Sequence, residues 1–139
     1  MRVFLDASML VAAALSRKGG SFRLINEARI RGFSLFTSDY AYREAEIALE
    51  DKYGDNLADF YELIHLVFVI KGPDRRNLKK FQGIISDKDA AILADTLDLG
   101  ADVLITLDRR HFLHNLLLKE KYPSLEIVTS GDFIQKYFV

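Results

Sequence analysis

A chain of 139 residues, half of them hydrophobic, has the size of one ordinary domain and can bury a substantial core. Its formal net charge of −1 provides no global basic field of the kind that announces a nucleic-acid binder, although a local basic patch is compatible with it. The absence of cysteine excludes disulfides and thiolate metal sites, and His65, His111 and His114 lack zinc spacing such as HExxH.

The opening Met1-Arg2-Val3-Phe4-Leu5-Asp6 reads as a strand over Val3 to Leu5 and not as a signal peptide, because an acid interrupts the apolar run. Ser8 to Leu15 reads as a helix, and Gly19-Gly20 breaks the chain. Ser21 can cap a helix to Arg31, ended by Gly32. Phe33 to Phe36 is the second predicted strand. Ser38 caps a long helix to Tyr53, with Gly54 as terminator. Asn56 to Leu66 is helical by composition and Val67 to Ile70 is the third strand. A short helix over Arg76 to Phe81 precedes a longer one from Ser86 to Leu99, ended by Gly100. Asp102 to Thr106 and Glu126 to Val128 are the fourth and fifth strands, and Ser130 caps a last helix to Phe138. The longest apolar runs, residues 9–15 and 63–70, are too short to span a bilayer, so a cytoplasmic location is expected. Alternating short strands and helices predict an α/β fold, with a mostly parallel sheet covered on both faces.

Four acids fall where these strands end and helices begin. Asp6 closes the first strand and Asp108 the fourth, Glu44 lies one turn into the helix after the second, and Asp89 opens the helix after Ser86. The carboxyl ends of strands in an open parallel sheet share one rim, where ligands bind. Carboxylates gathered there repel one another unless a cation sits among them, and hard divalent ions such as Mg²⁺ favour all-oxygen sites. Each acid also has a structural explanation: Asp6 and Asp108 can cap the helix or turn that comes after each of them, and Asp89 suits a capping box and the helix dipole. Glu44 is harder to explain that way. On a helical wheel it lies about 60° from the buried Ala41, Ala45 and Ala48 stripe, whereas Glu46 lies about 140° away and reads as a solvated charge. A carboxylate bordering a buried face needs a partner or a metal.

Three segments resemble the motifs of PIN-domain nucleases. They are Phe4-Leu5-Asp6-Ala7-Ser8, Ser38-Asp39-Tyr40-Ala41-Tyr42-Arg43-Glu44, and Asp87-Lys88-Asp89 followed by Gly100-Ala101-Asp102-Val103-Leu104-Ile105-Thr106-Leu107-Asp108. Position 7 is alanine where that family often has threonine, although Ser8 retains a hydroxyl. The resemblance implies a three-layer α/β/α fold with strand order 3-2-1-4-5 and Mg²⁺- or Mn²⁺-dependent cleavage of RNA. It makes Asp6, Glu44, Asp89 and Asp108 the catalytic and metal-binding acids, with Asp87 as a candidate outer ligand. It also implies membership of a toxin–antitoxin pair, hence an antitoxin partner, or a role in RNA processing and decay. An inactive RNA- or protein-binding module is the non-enzymatic alternative. Candidates for substrate contact are Arg109 and Arg110, beside the fourth acid, and the hydroxyls of Ser8 and Thr106. Arg75, Arg76, Lys79 and Lys80 form a further basic cluster. A symmetric homodimer is expected, with Leu57 to Leu66 and Tyr137-Phe138-Val139 as candidate interface segments.

A receiver-like phosphoacceptor would carry its aspartate after the third strand, which here ends Val69-Ile70-Lys71-Gly72. A dehalogenase-like enzyme would carry a second aspartate two residues after the first, where this chain has Ser8.

Overall fold

A computed structural model describes residues 1–75 and 78–139. Strands β1 (Arg2–Leu5), β2 (Ser34–Ser38), β3 (Phe68–Ile70), β4 (Val103–Ile105) and β5 (Glu126–Val128) form one sheet in the order β3-β2-β1-β4-β5. Every pairing is parallel. Around the sheet lie α1 (Ala7–Leu15), α2 (Gly20–Ala28), α3 (Asp39–Lys52), α4 (Leu57–Leu63), α5 (Asp87–Leu99), α6 (Leu116–Lys121) and α7 (Ser130–Tyr137).

Strand side chains alternate between faces, and the core divides accordingly. Val3, Leu5, Leu35, Val103 and Ile105 belong to one cluster with apolar residues of α1, α2, α4 and α7. Phe4, Leu104 and Ile127 belong to the other, with residues of α5 and Ala41 of α3. The central strands are covered on both sides, which explains why they read as unbroken apolar runs. Gly100 ends α5 in the left-handed conformation, with φ of 70°.

Several boundaries differ from the predicted ones for identifiable reasons. Ser21 and Ser130 are not caps. They lie inside the first turns of α2 and α7, buried, and their hydroxyls meet at 2.8 Å, each satisfying the other. Gly19 and Thr129 take the cap positions, and Thr129 Oγ1 accepts from Asp132 N at 3.1 Å. The helix predicted to Leu66 ends at Leu63 and tightens into a 3₁₀ turn over Ile64–Leu66. Of the short helix predicted over Arg76 to Phe81, a 3₁₀ turn spans Lys79–Phe81, and Arg76 lies outside the described residues. Unpredicted among the described residues are a 3₁₀ turn over Gly54–Asn56, a π-helical turn over Arg109–Leu113, and α6, which Asn115 caps by accepting from Leu118 N at 3.0 Å.

The aromatic C-terminus closes the protein's own core. Phe133 is fully buried and packs against Phe33, Tyr137 and Phe138. Phe138 is covered in turn by the Arg31 guanidinium, 4.4 Å from its ring centre. Phe60 and Leu63 of α4 are likewise buried. Among the described residues no helix is long and apolar enough to cross a membrane.

Candidate metal centre

Because β1 and β4 pair in parallel, their carboxyl ends lie side by side. Asp6 N extends the ladder by donating to Ile105 O at 3.0 Å, and Asp108 follows three residues after Ile105. Glu44 comes from the second turn of α3 and Asp89 from the first turn of α5. The four acids line one open cleft of about 440 Å³, together with Ala7, Ser8, Val11, Ala48 and Lys88.

The capping roles of Asp6 and Asp108 are real and coexist with this placement, whereas the capping box expected at Asp89 is not formed. Asp6 caps α1, its Oδ1 accepting from Ala7 N at 2.6 Å. Its Oδ2 accepts from Thr106 Oγ1 at 2.7 Å and from Ser8 Oγ at 3.3 Å. Asp108 caps the π-helical turn, its Oδ1 accepting from His111 N at 3.0 Å. Asp89 Oδ2 accepts from Ser86 Oγ at 2.7 Å, so the Ser86 hydroxyl holds the acid and makes no side-chain cap to the helix backbone. Glu44, half-buried, has no hydrogen-bond or ion-pair partner among the described residues. Asp87, in the same turn as Asp89, is exposed and does not line the cleft.

The hydroxyls organise the acids. Thr106 is fully buried; its hydroxyl donates to Asp6 and accepts from Asp108 N at 3.1 Å, which links the first acid to the fourth. Ser8 Oγ accepts from Leu107 N at 3.1 Å, ties the same turn to α1, and reaches the cleft wall. Of the expected phosphate-binding arginines, Arg110 is exposed, and Arg109 lines a separate groove with Leu113, His114 and Lys119. The basic side chain in the acidic cleft is Lys88, between Asp87 and Asp89 in sequence. His111 also enters the site. Its Nδ1 lies 3.7 Å from Asp89 Oδ2, and Asp89, Asp108 and His111 can each offer a ligand atom within 4.8 Å of the others. The available signal was its place three residues after Asp108, on the same helical turn. Glu46, expected to be a solvated charge, is instead held by the Tyr61 hydroxyl and Arg43.

Crowding these acids has an electrostatic consequence. Burial pushes the Asp6 carboxyl from 3.8 up to about 6, partly offset by the Thr106 and Ala7 hydrogen bonds and reinforced by the charge of Asp89. Burial also raises Glu44, and the charges of Asp6 and Asp89 act in the same direction against Lys88. In metal-free protein, Asp6 therefore binds its proton more tightly when folded. Its contribution is fully present below its unfolded value near 3.8 and is lost as pH rises through about 6. Urea unfolding in a chelator should show wild type losing stability relative to Asp6→Asn across this window. A difference independent of pH would contradict the assigned burial cost.

The donor set fits a hard divalent ion: carboxylates from four elements, one of them without a hydrogen-bond partner among the described residues, with room for water in an open cleft. No protein-family model matches the sequence, and no curated protein sequence matches it. Solved structures do match. VapBC2 from Rickettsia felis aligns with a TM-score of 0.64 at 14% identity, over 91% of this chain and 97% of that one. VapBC-1 from nontypeable Haemophilus influenzae aligns at 0.61 and 21%, over 94% and 99%. Mycobacterium tuberculosis VapC20, described as a Sarcin-Ricin loop cleaving toxin, aligns at 0.60 and 16%, over 78% and 91%. The chain has the PIN fold. Its sheet order is that of the PIN-like neighbours, and the order 3-2-1-4-5 that the resemblance implied is the observed one.

Proposed function

We propose that this chain is a divalent-metal-dependent endoribonuclease, the toxin component of a toxin–antitoxin pair. The observation that carries the reading is the convergence of Asp6, Glu44, Asp89 and Asp108, from four separate elements, on one cleft at the carboxyl rim of the sheet. The VapBC neighbours and VapC20, a Sarcin-Ricin loop cleaving toxin, support the toxin reading and an antitoxin partner.

The four acids would hold Mg²⁺ or Mn²⁺, with Asp87 outside the inner set. A bound divalent ion supplies a hydroxide nucleophile at neutral pH and offsets charge on the phosphoryl oxygens. Thr106 and Ala7 fix both Asp6 oxygens, and the Asp108 N–H bond to Thr106 fixes the facing acid. Lys88 is placed to meet a phosphate at the cleft, and exposed Arg110 to meet the backbone beyond it. A homodimer belongs to the same proposal. The exposed neighbours Leu116 and Leu117 of α6 support it, and light scattering tests it.

The test of function is cleavage of end-labelled structured RNA with Mn²⁺ and with chelator. Products should appear with the metal alone and carry no 2′,3′-cyclic phosphate, since water and not the 2′-hydroxyl attacks. Cyclic ends, or cleavage in chelator, would contradict the proposal. Glu46→Gln should retain cleavage within about twofold, because Glu46 is not among the cleft-lining residues.

A further inference from the structure

The connection between β3 and α5 carries a feature that the acids themselves do not use. Asp95, on α5, is fully buried. Arg75 grips it with both edges of its fork, Nε to Oδ1 at 2.7 Å and Nη2 to Oδ2 at 2.9 Å. The same Nη2 bonds Oδ1 of Asp39, the first residue of α3. Asp39 Oδ1 also accepts from Gly72 N at 3.1 Å, and the Tyr40 ring lies 5.4 Å from the guanidinium carbon. Gly72 is the seat of this arrangement. A Cβ there would stand 1.8 Å from Arg75 Nη2 and 2.5 Å from Asp95 Oδ1.

α3 and α5 carry Glu44 and Asp89, which both line the cleft. Asp39 precedes Glu44 by five residues and Asp95 follows Asp89 by six, so both anchor points lie within two turns of a proposed ligand. Where the two helices meet, the shared core includes Ala41, Ala90 and Ala94. Short side chains of this kind interlock little.

We propose that Arg75 is a positioning residue: its guanidinium, seated on Gly72, clasps α3 to α5 and sets the spacing between Glu44 and Asp89. A planar fork can bridge the two carboxylates; a lysine ammonium cannot reproduce the bidentate grip. The clasp's metal consequence rests on the proposed metal site, whereas its effect on helix spacing does not.

Gly72→Ala displaces the guanidinium while keeping every charge, Arg75→Lys keeps the charge without the fork, and Arg75→Met removes both. The chain has no cysteine, so nitroxide labels at Glu50→Cys and Asp98→Cys, both exposed, report the α3–α5 distance by pulsed electron resonance. The expected result is a broadened distance distribution and about tenfold weaker Mn²⁺ binding in Gly72→Ala and Arg75→Lys. Pairing Gly72→Ala with Arg75→Met should add no further loss. Phe133→Ala, destabilised at a site remote from the clasp, should leave both readings as in wild type. An unchanged distribution and unchanged Mn²⁺ affinity in Gly72→Ala and Arg75→Lys would overturn the clasp. A wild type that binds no Mn²⁺ would overturn the metal reading, with the distance measurement still deciding the clasp.

Discussion

Asp6→Asn is expected to lower metal-dependent RNA cleavage by about a thousandfold while making the metal-free protein more stable. The activity loss follows from removing a charged oxygen at the centre of the cleft: a ligand worth about 4 kcal/mol in the transition state corresponds to about three decades in rate. The stability gain follows from burial. Moving Asp6 from 3.8 to about 6 corresponds to at most about 3 kcal/mol, a cost that a neutral amide avoids at pH 8. The amide is accommodated when the hydroxyl bonds at the Oδ2 position reverse direction. Its oxygen can accept from Ala7 N and its nitrogen can donate to Thr106, whose own proton can turn toward Ser8 Oγ, 3.4 Å away. Urea unfolding at pH 8 in chelator should therefore place Asp6→Asn about 2 kcal/mol above wild type, and Mn²⁺ should reduce or reverse the gap by stabilising wild type alone. Equal cleavage by the two proteins would remove Asp6 from the chemistry. Lower stability of Asp6→Asn in chelator would remove the electrostatic explanation.

Phe133→Ala is expected to cost about 3–5 kcal/mol, the range for deleting a buried phenyl ring. Phe133 has no exposed surface and contacts three other aromatic rings, so its loss opens a cavity between α2, α7 and the sheet. Removing Val139, which is 99% exposed, should change stability by less than about 0.5 kcal/mol. The pair of urea midpoints decides whether the C-terminal aromatic residues close the protein's own core. If Phe133→Ala lowered stability only at concentrations where the chain associates, the cluster would instead be an interface.

That the four acids gather on one rim was expected chiefly from the motifs that resemble PIN-domain nucleases, since Asp6, Asp89 and Asp108 taken singly also read as capping residues. A strand that ends in aspartate and pairs in parallel with another such strand places both carboxylates on one rim, as Asp6 and Asp108 show. Of the alanine stripe used to place Glu44, Ala41 and Ala45 are buried with Leu49, whereas Ala48, expected in the same stripe, is exposed. What the sequence concealed depends on tertiary packing. Ser21 and Ser130 looked like caps because the hydroxyl that satisfies each is 109 residues away. The helix at Leu116 to Lys121 shows no readable period, since Leu116 and Leu117 are exposed and Leu118 alone of the three is buried. Lys88 and His111 carried no assigned role in the sequence, and it is α5 and the turn after β4 that bring them to the acids. Arg75 and Asp95 stand 20 positions apart without shared periodicity, and only the packing of α5 against the preceding connection makes them a pair.

Anomalous diffraction from crystals soaked in Mn²⁺ tests the central claim most directly. A peak is expected in the cleft, within coordination distance of carboxylate oxygens of Asp6 and Asp108, with Glu44 and Asp89 facing it directly or through water. The same soak of Asp6→Asn should leave the peak weakened or absent. A strong wild-type peak elsewhere on the surface, or an empty cleft at saturating Mn²⁺, would contradict it.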